Sequence, residues 1–314
     1  MVPSVADLVG QVRSWRGRAV SWDRLAGGLS HHIFRVDVDG QPYVLRILDP
    51  EVSRAGLGIP PDQEIANTVR AAQSGVGAAV YEVLPDAPAL VLEYLPGRTL
   101  NVDDVRRPEL IPALAAACRR LHAGALFGND FDIFAKRDNL LTVCRQHDLP
   151  LPAGYLDRQP VVEEIRAALA ETPLRPAPCH NDLLAENFIE SPDGIRIVDY
   201  QLSGNNDPAF ELGDVAAEAD YDPDRVEMLA AAYFGAELDP LLLARVRLYL
   251  MASNVTWALW FTVHHGLLRN PDTEFDYDGE AADKWGQATH ALDSSDLGRL
   301  LELAAGRRLL RNTT

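Results

Sequence analysis

The sequence predicts an α+β fold in two unequal lobes. A small N-terminal antiparallel sheet with a helix occupies residues 1–95, and a larger, mostly helical lobe occupies residues 96–314. Three observations carry this expectation. Apolar runs of strand length, with one helical stretch among them, fill the first ninety-odd residues in the order β-β-β-α-β-β. The segment Pro96-Gly97-Arg98-Thr99-Leu100 then breaks the pattern. Beyond it, apolar residues recur mainly at helical spacing.

The elements follow in order. "DLVGQVRSW" (7–15) is a short opening helix. "AVSWDRLAGGLSHHIFRVDVDGQPYVLRIL" (19–48) holds three strand-like runs; the first leads into Gly27-Gly28, and the second and third flank a turn at Asp39-Gly40. "PPDQEIANTVRAAQSG" (60–75) begins with prolines and ends at a glycine, as helices do. "AAVYEVL" and "ALVLEYL", divided by "PDAP", are two further strands. In the second lobe "PELIPALAAACRRLHAG" (108–124) has helical periodicity, and a proline-rich segment near 150–178 leads into "PCHNDLLAENFIES" (178–191). "GIRIVDYQL" (194–202) reads as a strand ending in an aspartate, and helices are expected at roughly 209–219, 223–234, 239–267, 279–292 and 295–310.

Composition narrows the function. At 47% hydrophobic and 24% charged the chain is an ordinary globular one. A net charge of −17 argues against non-specific binding to nucleic acid or to anionic membranes. Positive charge is almost all arginine, Lys136 and Lys284 being the only lysines, so a site that normally uses lysine must find a substitute. Cys118, Cys144 and Cys179 have neither disulfide-framework nor zinc-ligand spacing, which fits a reducing cytoplasm. Asp7 and Arg13 interrupt any signal-peptide core. Residues 248–268 carry no formal charge and are long enough to span a bilayer, but Ser253, Asn254, Thr256, Thr262, His264 and His265 among them point to a buried helix and not to membrane insertion.

Three separated stretches suggest chemistry. Gly27 and Gly28, with Ser30 beside them, lie in a strand-loop-strand where missing Cβ atoms let backbone amides approach a phosphate. Arg46 shares a strand face with Val44 and Leu48, so its charge calls for a partner, which Glu64 on the following helix can supply. His180-x-Asp182 is followed by Asn187, five positions on, and then by Asp199 at a strand end. That is the D-x-x-x-x-N spacing of kinase catalytic loops. Phosphoryl transfer needs a carboxylate to orient the attacking hydroxyl and accept its proton, and oxygen ligands for Mg²⁺ beside the phosphates. Asp182 can do the first, and Asn187 and Asp199 the second.

"AGGLSHHIFRV", "YVLRIL", "CHNDLLAENFI" and "IRIVDYQLSGNNDPAFELGDVAAE" resemble the choline/ethanolamine kinase family, part of a broader aminoglycoside-phosphotransferase-like group with a protein-kinase-like fold. The resemblance runs from about Leu25 to about Tyr277, and arginine in place of the strand lysine, at Arg46, is usual in choline kinases. It implies ATP and Mg²⁺ as cofactors. Asp182 would be the catalytic base, Asn187 and Asp199 would bind the metal, Arg46 paired with Glu64 would contact the ATP phosphates, and Glu93 to Leu95 would form the hinge that holds adenine.

Trp257 and Trp260 stand at i and i+3 of a helix, which puts both indoles on one face. Such a stripe is ordinary in a core, but the resemblance makes it the wall of an amine site, where a cation over an aromatic face gains ~0.5–1 kcal/mol exposed and ~2 or more desolvated. Glu218 matches the family's acidic position, and Phe275 and Tyr221 are candidates to complete the cage. Leu202 and Gly279 fall where the family often has aromatics, which leaves the acceptor open among choline, ethanolamine, methylated ethanolamines and other amino alcohols. His31 and His32 are expected in the phosphate-covering loop, and His264 and His265 near the end of the long helix, neither pair as a metal site. The leading expectation is an ATP- and Mg²⁺-dependent kinase of a small amino alcohol, a monomer or homodimer. The alternatives are an aminoglycoside or other small-molecule phosphotransferase and a nucleotide-binding pseudokinase. The position of Glu186 has no reading from sequence.

Overall fold

The computed structural model of the chain describes residues 4–25, 30–84, 87–268 and 275–307. Helix α1 (Val5–Gln11) precedes strands β1 (Val20–Arg24), β2 (His32–Val38) and β3 (Gln41–Ile47). Asp39 and Gly40, with φ of 50° and 86°, form the two-residue turn of the β2–β3 hairpin. Both central residues are in the left-handed region that such turns need. Next come α2 (Pro50–Arg54), α3 (Pro61–Gln73), β4 (Val80–Leu84) and β5 (Ala89–Glu93). The five strands form one antiparallel sheet in the order β1-β2-β3-β5-β4. The expected order holds, with α2 added. Its signal is the Asp49 side chain capping the Glu51 amide, followed by Pro50 in the first turn.

Alternation assigns the sheet's faces. Val36, Val38, Leu45, Ile47 and Val91 pack under Leu8, Val12 and Trp15. Val44, Leu90 and Leu92 face the other way, with Ile65 of α3 packed on them, and Arg46 shares that face.

The second lobe runs through β6 (Arg98–Thr99), α4 (Val102–Val105), α5 (Ile111–His122), α6 (Ile133–Gln146) and α7 (Gln159–Glu171) to β7 (Ala177–Cys179). Helix α7 lies within the proline-rich segment near 150–178. Pro160 sits in its first turn, where a missing N–H costs nothing. Strands β8 (Phe188–Ser191), β9 (Gly194–Ile197) and β10 (Gly204–Asn206) follow, with β10 paired to β7 and β8 to both β6 and β9. Helices α8 (Pro208–Glu218), α9 (Pro223–Phe234), α10 (Pro240–Leu268), α11 (Tyr277–Leu292) and α12 (Leu297–Ala304) complete the chain.

Helix α10 is the centre of the core. Its residues from Ala244 to His264 are almost all buried, packed by α6, α8, α11 and α12. This is why its sequence is apolar on every side. No described helix is long and apolar enough to cross a membrane. The same large core takes in Val52, Ala55, Leu57 and Ala71 from the N-terminal half. Leu57, fully buried, belongs to a loop between α2 and α3 that the C-terminal lobe grips: Lys136 Nζ donates to the Gly56 carbonyl (2.8 Å), Trp260 Nε1 to the Leu57 carbonyl (2.9 Å), and the Ile59 amide to the Gln201 carbonyl (2.9 Å).

Candidate active site

The loop from His180 to Asn187 joins β7 to β8, and two carboxylates of α8 hold it from below. Glu211 accepts the backbone amides of His180 and Asn181, each at 2.8 Å, one on each oxygen. Asp214, one helical turn on, accepts the Leu183 amide at 2.8 Å through one oxygen and Ser253 Oγ and Trp257 Nε1, both at 2.8 Å, through the other. The amides on both sides of Asp182 are thereby fixed. Burial opposes ionisation of Glu211, but hydrogen bonding and charge from His122, with His180 and the Asn181 amide, hold its carboxyl below the usual range. For Asp214 burial wins and the carboxyl is raised, despite Trp257, Leu183 and Ser253.

His180 is fully buried and donates through Nε2 to the Val198 carbonyl (2.9 Å), tying the loop to the segment that carries Asp199. Asn181 (φ 67°) and Asp199 (φ 69°) both lie in the left-handed region, which disfavours side chains other than glycine. Four hydrogen bonds offset this for Asn181: its Nδ2 donates to the carbonyls of Cys179, Leu202 and Gly204, and its Oδ1 accepts from Asn206. Asn187 Nδ2 donates to the Asp182 carbonyl at 2.7 Å, which leaves Oδ1 as the oxygen it could offer a cation. Strand β9 ends at Ile197, two residues short of Asp199, because that backbone conformation cannot continue a strand.

Across the cleft, Arg46 is buried and donates to one oxygen of Glu64 through Nε (3.2 Å) and Nη2 (2.9 Å), and its Nη2 also bonds Asp199 Oδ1. His31 lies behind this pair: its Nδ1 accepts from the Asp49 amide (3.0 Å) and its Nε2 is 3.3 Å from the other Glu64 oxygen. Burial opposes the charge on Asp199, yet Arg46 holds its carboxyl below the usual range.

Asp182 is half-buried. Burial first, then Asp214, Glu218 and Asp199, raise its carboxyl well above the usual range, and Lys136 offsets only part of this. Burial in turn lowers the Lys136 ammonium to about 7, against the pull of Asp182. The Glu218 side chain, only 5% exposed, is paired with Lys284 at 2.9 Å and is still raised to about 7, by burial and by Asp214. The cluster is therefore short of positive charge. Its oxygen donors, Asn187 Oδ1 and the Asp199 carboxylate, suit a hard cation such as Mg²⁺. The Ser30 Oγ atom is buried with no hydrogen-bond partner among the described residues, which fits a phosphate oxygen accepting from it.

Residues 21–249, well over half of the chain, match the profile described as "Phosphotransferase enzyme family". The chain belongs to the phosphotransferase enzyme family. A solved structure described as a choline/ethanolamine kinase family protein from Mesorhizobium loti is 31% identical, covers 96% of this chain and 97% of its own, and superposes with a TM-score of 0.81. Protein LicA of Haemophilus influenzae is 24% identical over 76% of this chain and 73% of its own length. Ethanolamine kinase 2 of Rattus norvegicus is 22% identical over 84% and 75% respectively. The expected kinship with choline/ethanolamine kinases and the two-lobed kinase-like fold are borne out.

Within this phosphotransferase the expected residues fall in three groups. Arg46, Glu64, Asp182, Asn187 and Asp199 come together at one cleft. Gly27 and Gly28 lie outside the described residues. At the expected hinge the Glu93 carboxylate accepts the Ala79 amide (3.0 Å) and lies 3.4 Å from Arg196 Nη2, while Leu95 is buried between the lobes. His31 sits in the bend just before β2, where it backs Glu64, while His32 is a correction: it opens β2 and so belongs to the sheet and not to the loop.

The residues expected around the amine are placed by the packing of the helical lobe. Tyr221 is buried with its hydroxyl on the Val105 carbonyl, a scaffold contact behind the loop. Phe275 is 38% exposed and stacks on Phe261 (6.0 Å) and against Tyr277 (4.7 Å). Phe275 meets Trp260 only through Phe261, whose ring packs edge-on against Trp260 at 5.3 Å, and Trp260 also packs against His264 at 5.0 Å. Both indole N–H groups are committed, to Asp214 and Leu57. Leu202 is buried in the core, and Gly279 lies at the start of α11, its amide on Asp276 (2.9 Å). Glu186 is exposed.

Sequence reasoning missed Glu211, Asp214, Lys136 and Lys284. A signal existed for the first two: carboxylates at i and i+3 inside the largely apolar "PAFELGDVAAE" ask for buried partners. For the lysines the only hint was their scarcity.

Proposed function

We propose that this phosphotransferase transfers the γ-phosphoryl group of ATP, with Mg²⁺, to the hydroxyl of a small amino alcohol of the ethanolamine–choline class. The observation that carries this reading is the under-compensated carboxylate cluster. Burial raises all three of Asp182, Asp214 and Glu218; Asp214 raises the other two further, and its own carboxylate holds Trp257 Nε1. A cationic acceptor relieves that repulsion, and a neutral alcohol does not.

In this reading residues 1–95 hold the nucleotide and residues 96–314 the acceptor. Gly27, Gly28 and Ser30 cover the phosphates, Arg46 held by Glu64 contacts them, and the backbone at Glu93–Leu95 meets adenine. Asn187 and Asp199 would hold Mg²⁺, which would offset charge on the phosphates and the leaving group. Arg46 and the metal would share Asp199, because Arg46 already engages one of its oxygens. The acceptor oxygen attacks the γ-phosphorus in line, the bond to the β–γ bridging oxygen breaks, and the hydroxyl proton passes to Asp182. Positive charge bound beside Asp182 would lower its raised pKa and so favour the base form.

The test is ADP release with choline, ethanolamine, the two intermediate methylamines and a panel of aminoglycosides. Turnover of at least one amino alcohol supports the reading. Turnover of aminoglycosides alone, or of nothing, refutes it.

A further inference from the structure

Resting on that proposed function, we infer that Lys284 selects the acceptor: it makes Glu218 a site for an ammonium that carries N–H groups and disfavours a quaternary one. Lys284 Nζ lies 2.9 Å from Glu218 Oε2 and donates to the Ala217 carbonyl at 3.1 Å, and both side chains are only 5% exposed. The acidic wall expected to face the substrate cation thus already holds an internal cation. Lys284 comes from α11, Glu218 from the end of α8, and Glu280 is the further carboxylate whose charge both of them feel.

The consequence follows from the chemistry of the two kinds of ammonium. Any substrate cation is repelled by Lys284. A primary ammonium can offset this with a short, charge-assisted hydrogen bond to the second oxygen of Glu218, so that one carboxylate serves two ammonium groups. A trimethylammonium has no N–H, cannot approach as closely, and relies on aromatic faces. Those faces are few here. Tyr221 is buried with its hydroxyl on Val105, Phe275 is separated from Trp260 by the ring of Phe261, and position 202 is leucine. Displacing Lys284 is no remedy, because it would leave a buried ammonium without its carboxylate. The choice of lysine is itself informative in a chain with 29 basic residues of Lys and Arg type, only two of them lysine. The other lysine, Lys136, also faces a site carboxylate, Asp182. A compact point charge with rotatable donors leaves room beside Glu218 that a planar guanidinium would fill.

The experiment measures kcat/KM for ethanolamine, its mono- and dimethyl derivatives and choline at saturating ATP and Mg²⁺, in the wild type and in Lys284→Met. The wild type is expected to favour ethanolamine over choline at least tenfold, with values falling along the methylation series. Lys284→Met, of similar length but uncharged, should reduce that ratio at least tenfold, mainly through a lower KM for choline. Wild-type preference for choline, or an unchanged ratio in folded Lys284→Met, overturns the inference while leaving the proposed function standing. If the variant does not fold, the wild-type methylation series decides alone. Failure to phosphorylate any amino alcohol overturns the proposed function, and this inference with it.

Discussion

At the scale of single residues, the site is a problem of charge in a buried place. Asp182 is the base in the proposed reaction, so Asp182→Asn should keep nucleotide binding while turnover drops roughly 10²–10⁴-fold, the usual contribution of a positioned base. Nucleotide affinity by calorimetry beside ADP-release rates checks this, and turnover close to wild type would remove Asp182 from the mechanism. Glu218 makes a pH prediction. Its carboxyl is raised from 4.5 to about 7, so it is protonated over a wider range than an exposed glutamate. An amine acceptor needs the charged form, so kcat/KM for the amine should rise with pH through about 7. Glu218→Gln should lower the plateau and remove this limb, leaving only the rise that belongs to Asp182. Stability has the opposite sign. A raised folded pKa favours the protonated fold, so this contribution is fully present below 4.5 and is lost as pH rises through about 7.

At the scale of elements, α8 is the support under the loop that carries Asp182. Glu211 and Asp214 together accept the amides of His180, Asn181 and Leu183. Glu211→Ala would leave two buried amides unsatisfied, at about 1–3 kcal/mol each. It should lower the melting temperature clearly and reduce turnover with little change in the KM for the acceptor. A turnover number within twofold of wild type in a folded variant would contradict that role. The loop between α2 and α3 makes a second case. Trp260→Phe removes the donor to the Leu57 carbonyl and nothing else of comparable size. Amide exchange over residues 55–59 should accelerate while the sheet strands remain protected; unchanged exchange would show that Lys136 and Gln201 hold the loop without it.

At the scale of the whole molecule, Arg46 and Asp199 close the cleft between sheet and helical lobe directly, and His31 and Glu64 brace the sheet side. Cation binding at Asp199 and Asn187 would then tie ligand affinity to global stability. With ADP and Mg²⁺ at about 100 times Kd, the fold should gain about 2.7 kcal/mol, seen as a higher melting temperature. Asp199→Ala should abolish the Mg²⁺-dependent part of that shift. A shift of the same size in the variant would take Asp199 out of metal binding.

Much of this was legible in the sequence because the informative spacings are local. Asp182 and Asn187 are five residues apart in one loop, Asp39-Gly40 specifies its own turn, and alternation in β3 sets the face of Arg46. What only the tertiary structure decided are contacts between distant segments: Glu211 under His180 across 31 residues, Trp260 on Leu57 across 203, and Lys284 on Glu218 from the following helices. The surroundings of Trp257 and Trp260 were not legible for the same reason. Helical spacing fixes which side of α10 Trp257 and Trp260 share, but their N–H partners come from α8 and from the loop before α3. A buried polar group takes whatever partner the packed neighbours offer, and local pattern carries no record of which neighbour that is.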